Sequence, residues 1–162
     1  MLRTFRIAIC VLLIGWMILI FSLSAETAET SSKTSGGFVS VIINILFPDF
    51  EELSQSAQLE LRETFQFIIR KAAHFTIYTI LGGLAFLSIF TYKKLPFWSR
   101  SLSSAAFCLL YAVSDEIHQL LVPGRSGEIR DVFIDFCGAL LGIAVLILTF
   151  KFSNLKFVKK YI

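Results

Sequence analysis

The amino-acid sequence predicts an all-α fold, a polytopic membrane bundle of four transmembrane helices with an outer amphipathic or interfacial helical segment. Three observations carry that reading. The 162-residue chain is 56% hydrophobic and only 17% charged, with 17 Phe and a mean hydropathy of +0.74, whereas soluble domains hold about 25% charged residues. Long apolar runs recur along it, and the charges between the runs separate by sign. So much apolar sequence argues against disorder. Three Cys and two His without a CxxC pair argue against a zinc or disulfide scaffold. The length suits one domain, residues 1–162.

A helix needs about 20 apolar residues to cross a hydrocarbon core about 30 Å thick. The first span, about 6–25, contains 19 uncharged residues, 7–25, preceded by Arg3 and Arg6. A signal peptide cleaved after Ser24 is the alternative, but the apolar stretch exceeds the usual signal core of about 7–15 residues. The second span, 74–92, is uncharged over 75–92. The third, 101–122, is uncharged only over 101–114, and reaches spanning length by taking in Asp115, Glu116 and His118. The fourth, 132–150, is uncharged over 136–150 and needs Val132 to Asp135 as well. Carboxylates inside a span are costly in lipid and are functional candidates.

Between the first two spans lies an outer segment, 26–70. Residues 26–35 are polar without periodicity and read as a loop. The apolar run 36–47 is too short to span and reads as re-entrant or interfacial. Beyond Pro48, the residues Phe50, Leu53, Ala57, Leu61, Phe65 and Ile68 recur at spacings of 3 and 4. They mark an amphipathic helix on the outer surface that leads directly into the second span.

Orientation follows the basic residues. Arg3, Arg6, Lys93, Lys94, Arg100, Lys151, Lys156, Lys159 and Lys160 fall on one side, which makes it cytoplasmic and places both termini there. All twelve carboxylates, with the other six bases, fall on the opposite side or in the outer half of a span. The balance is then +9 inside and −6 outside.

Three outer stretches concentrate the polar chemistry. Lys71, His74 and Tyr78 share one helical face at the entrance to the second span, just after Arg70. Asp115, His118 and Gln119 share a face near the outer end of the third, with Glu116 about 100° around. Pro123-Gly124 then turns the chain, and Arg125 and Ser126 lead to Asp131 and Asp135, four apart at the start of the fourth span. Either His can move a proton near neutrality. Asp115 and Glu116 can act as a base, orient a His, or perturb each other. Arg70, Lys71, Arg125 and Ser126 offer donors to an anionic headgroup, with Gly124 and Gly127 allowing close backbone approach.

Two versions fit these residues. In an enzymatic one His118 and Glu116 exchange protons, Asp115 orients, His74 is a further proton-transfer group, and Arg125 with Lys71 holds a phosphate. In a binding one the same residues grip the headgroup. The plainer alternative is a structural or partner protein of an envelope complex, with buried charges only holding helices in register. No HExxH or comparable metal spacing, GxSxG, P-loop or Rossmann signature occurs, and no metal or cofactor is assigned. The bases follow the cytoplasmic loops and form no nucleic-acid patch. Cys10, Cys108 and Cys137 read as packed thiols, and Gly82, Gly83, Gly138 and Gly142 as sites of close helix approach.

The stretches RKAAHFTIYTILG (70–82) and YAVSDEIHQLLVPGRSGEIRDVFIDFCGALLG (111–142) resemble the VanZ-like family of bacterial membrane proteins. Its founding member is an accessory factor for resistance to the glycopeptide teicoplanin. The resemblance implies a small multi-span cell-envelope protein of the bacterial cytoplasmic membrane, and brings no established reaction. Lys71, His74, Tyr78, Asp115, Glu116, His118, Gln119, Arg125, Asp131 and Asp135 match the family's polar motif by position. The expected partners are membrane lipids and an anionic lipid-linked cell-wall precursor.

Overall fold

Each apolar run becomes the body of a helix, and punctuation between runs sets the ends. The structure is a computed structural model describing residues 2–90 and 95–152. Helix α1 (Leu2–Ser24) is followed by α2 (Ala28–Leu46), a single 3-10 turn (Phe50–Glu52), α3 (Gln55–Phe90), α4 (Phe97–Gln119) and α5 (Ile129–Phe152). There is no strand among the described residues. Helices α1, α3 and α5 are long and apolar enough to cross a membrane. Of the inner-side bases, Lys93, Lys94, Lys156, Lys159 and Lys160 lie outside the described residues, as does the end of the second span at Thr91 and Tyr92.

The polar stretch 26–35, expected as a loop, is helical from Ala28. Local capping outweighs the missing apolar periodicity. Thr27 Oγ1 accepts a hydrogen bond from the Thr30 N–H at 3.3 Å, and Glu29 pairs with Lys33 one turn on. The Thr34 and Ser35 hydroxyls donate back to carbonyls of their own helix, which satisfies them without leaving it. After Pro48 the chain reverses, and Val39, Ile43 and Phe50 form a small separate core with Leu61, Phe65 and Ile69. Helix α2 thus pairs with the N-terminal half of α3 as a hairpin.

The amphipathic segment and the second span are one helix. Its 36 residues extend about 54 Å at 1.5 Å per residue, well beyond the roughly 30 Å hydrocarbon core. Lys71 pairs with Asp131 in the first turn of α5, so the part of α3 before Arg70 runs on past the outer end of α5.

Helices α3 and α5 meet along a glycine seam. A Cβ at Gly82 would overlap the Ala139 carbonyl, one at Gly138 the Phe75 carbonyl, and one at Gly142 the Thr79 carbonyl. Backbones approach this closely in membranes because small residues permit it, which supplies packing that the hydrophobic effect cannot supply in lipid. Helix α1 is tied in by Trp16 Nε1, which donates to the Ile77 carbonyl at 2.9 Å, and by Tyr111 Oη, which donates to the Met17 carbonyl at 2.7 Å. At the other end Arg100, 5% exposed, donates to the Phe90 and Leu95 carbonyls and so caps α3.

Candidate functional site

The C-terminal ends of α1 and α4, the middle of α3 and the N-terminal end of α5 converge, and the polar residues of the three stretches meet there at different depths. The uppermost feature is a cavity of about 200 Å³ between the end of α1, the first half of α2, α3 and the α4–α5 loop. Arg70, His74 and Arg125 line it together with hydroxyls of Ser24, Ser31, Thr34 and Ser35. Glu26 also lines it, and the remaining wall is apolar, formed mainly by Leu23, Phe38, Ile69 and Ile77.

Arg125 reaches this cavity because Gly124, at φ +77, turns the loop back over the start of α2. Its Nε donates to the Glu26 carbonyl at 3.1 Å, tying the loop to the α1–α2 connection. Burial, and then the neighbouring Arg70 cation, pull the Arg125 guanidinium down from its usual range, while Glu26 is the first of the acids to oppose them. Arg70 pairs with no carboxylate among the described residues. Two cations, Arg70 and Arg125, therefore share a largely apolar cavity with one lining carboxylate, Glu26, which leaves a net positive charge.

Beneath the cavity the groups are buried. His74 Nδ1 lies 3.4 Å from Asp135 Oδ1, and Asp135 is 1% exposed. Asp115, 3% exposed, accepts from Ser24 Oγ at 2.8 Å and from Gln119 Nε2 at 3.3 Å. Tyr78 is fully buried beside both carboxylates, and its hydroxyl completes no hydrogen bond among the described residues. Around this centre Lys71 is paired with Asp131, and Glu116 Oε1 accepts the Glu128 N–H at 2.6 Å. Among the described residues no group of three or more His, Cys, Asp or Glu is arranged to hold a metal ion.

A family model described as VanZ/LLP1 matches residues 9–151. The chain belongs to the VanZ/LLP1 family. No curated protein and no solved structure matches it.

Of the residues singled out in this VanZ/LLP1 chain, Arg70, His74 and Arg125 line the cavity, and Tyr78 within α3, Asp115 and Gln119 near the end of α4, and Asp135 near the start of α5 lie buried. His118 does not join the cavity lining. Its ring stacks on Phe21 of α1 at 4.2 Å between centroids. Ser126 is exposed and outside the lining, and Glu116 serves the α4–α5 loop. The structure adds Ser24, Ser31, Thr34 and Ser35, which the sequence reading left out. The signal for α2 is present: Thr27, Ser31, Thr34 or Ser35, and Phe38 recur at helical spacing behind a Thr cap.

Proposed function

We propose that this VanZ/LLP1 protein is a bacterial cytoplasmic-membrane protein whose outer cavity binds the phosphate-bearing headgroup of an anionic lipid or lipid-linked cell-wall precursor. Helix α4 serves as the fourth span, both termini are cytoplasmic, and the outcome is adjustment of the envelope, including modest glycopeptide (teicoplanin) resistance. One observation carries this reading: Arg70 and Arg125 line a single, largely apolar cavity against one lining carboxylate, Glu26, and Arg70 has no acid partner among the described residues. Guanidinium groups hold phosphate oxygens through charge-assisted bonds, and Leu23, Phe38, Ile69 and Ile77 offer a surface to the first part of a hydrocarbon chain.

In an enzymatic version of this reading, His74 is the proton-transfer group at the cavity and Asp135 its orienting carboxylate, in place of His118. Native mass spectrometry of the purified chain tests the binding itself. A co-purifying anionic lipid that is lost in the Arg70→Ala/Arg125→Ala variant is expected. Equal retention of that lipid by the folded variant would sink the proposal. A structural partner protein remains the second reading, favoured by the apolar residues Phe38, Val41 and Ile45 that α2 leaves exposed.

A further inference from the structure

The two carboxylates beneath the cavity raise a question of charge that the headgroup reading does not answer. Asp135 and Asp115 are 1% and 3% exposed, and neither is ion-paired with a Lys or Arg among the described residues. Asp135 faces His74, and Asp115 is met by the neutral Ser24 hydroxyl and Gln119 amide, with the neutral Tyr78 hydroxyl close by. Of the nearby cations, Lys71 is engaged by Asp131 and Arg125 by the Glu26 carbonyl, and Arg70, which lines the cavity above, forms no ion pair with either carboxylate among the described residues. One imidazolium can balance one carboxylate. The other is an uncompensated buried charge unless it carries a proton.

The hydrogen-bond inventory points the same way. His74 Nδ1, Tyr78 Oη, Asp115 Oδ1 and both Asp135 oxygens are buried without a hydrogen-bond partner among the described residues. Three of these five atoms are carboxylate oxygens, and added protons are the donors they lack. The cluster also has two ends on the cavity, since His74 and Ser24 both line it.

We propose that His74, Asp135, Tyr78 and Asp115 form one proton-binding site beneath the cavity, and that an anion entering the cavity is taken up together with a proton. The second half rests on the reading that the cavity holds an anion. Other groups facing the site are Asp131 from α5, Glu116 and Tyr111 from α4, Arg70 and Lys71 from α3, Glu26 from the α1–α2 connection and Arg125 from the α4–α5 loop. Helices α1 and α2 present hydroxyls at the cavity and no titratable side chain. Net charge at the site is thus zero with two protons shared among one imidazole and two carboxyls, and −1 with one. An anion beside His74 is repelled by the −1 form and favours the doubly protonated one. Anion affinity falls as pH rises through the loss of that proton, by at most about tenfold per pH unit for one linked proton.

Two measurements separate the halves. Infrared spectra of the unliganded protein at neutral pH should show the carbonyl stretch of a protonated carboxylic acid, lost in Asp115→Asn or Asp135→Asn. Its absence from the wild type overturns the proton site. Calorimetric titration with dihexanoyl phosphatidylglycerol, a phosphodiester that does not titrate near neutrality, tests the coupling. The binding heat should change with the ionisation enthalpy of the buffer, and this dependence should disappear in Asp135→Asn or shrink in the near-isosteric Tyr78→Phe. Binding with no buffer dependence overturns the coupling and leaves the headgroup reading standing. Absence of binding, with the infrared band present, removes the headgroup reading and the coupling and leaves the proton site. Heats that follow replacement of sodium by N-methylglucamine, with no buffer dependence, reassign the cluster to a sodium ion.

Discussion

Gly142 of α5 lies against the Thr79 carbonyl of α3, with no room at the glycine for a Cβ, and the same holds for Gly138 against the Phe75 carbonyl. The obstacle at each is backbone, which no side-chain rotation relieves. Gly142→Ala is therefore expected to lower stability by at least ~2 kcal/mol, at the upper part of the usual overpacking range. Gly36 and Gly37 have open space instead, so Ala at either should be neutral or stabilise α2 by roughly 0.5 kcal/mol through helix propensity. Thermal unfolding in detergent compares the two classes, and equal effects would remove the seam from its central place.

Lys71 and Asp131 are 15% and 13% exposed, and their pairing joins the outer part of α3 to the start of α5. Partial burial reduces screening, so the interaction should exceed the ~0–1 kcal/mol of surface pairs. A double-mutant cycle with Lys71→Met and Asp131→Asn should return a coupling of about 1–3 kcal/mol that survives raised salt. A coupling near zero would mean the two groups contribute separately.

Ser24→Ala removes the hydroxyl that donates to Asp115 at 2.8 Å. The buried carboxylate then keeps only Gln119, so a loss of ~1–3 kcal/mol is expected. Asp115→Asn in the Ser24→Ala background should recover part of that loss, because the remaining buried group is then neutral. Melting temperatures of the three variants decide this.

Single Ala substitutions at Arg70 and Arg125 should each weaken anion binding by ~10–100-fold, the scale of a charge-assisted hydrogen bond of about 1.5–3 kcal/mol. Arg125→Ala also loses the tie to the Glu26 carbonyl, so it should additionally raise the proteolytic sensitivity of the loop. Arg70→Ala should not. Vesicle co-flotation with and without phosphatidylglycerol, followed by limited proteolysis, checks both effects.

Orientation has its own test. With the exposed Cys10 and Cys137 and the buried Cys108 replaced by Ala, a cysteine at Ser126 should react with a membrane-impermeant maleimide in intact cells. One at Leu95 should react only after lysis. The reverse pattern would invert the charge-based topology.

The first, second and fourth apolar helices and the glycine seam were legible because they rest on simple quantities, apolar length and small residues at fixed spacing. The carboxylates of Asp115 and Asp135 stood out for a related reason, since each had to be admitted into an otherwise short span. Helix α2 was less legible. Its first two turns are Ser and Thr, and those residues favour turns as readily as helix unless a cap decides between them. That uncertainty hid the hydroxyl wall of the cavity. The roles of the two histidines depended on rotation about α3 and α4. Spacing alone placed His118 with Asp115 and Gln119, yet its ring packs on Phe21.

The unbroken course of α3 has one more consequence. Arg70 and His74 at the cavity and Gly82 at the seam belong to the same continuous helix. Their angular phase is fixed by the helical repeat alone, with no hinge to absorb an error. Inserting a single residue between Ile77 and Gly82 would swing every cavity-facing group of α3 by about 100° relative to the seam. Four inserted residues would restore the phase to within about 40° but lift the arginine roughly 6 Å. In this protein the placement of Arg70 and His74 is written as a rotation about one axis.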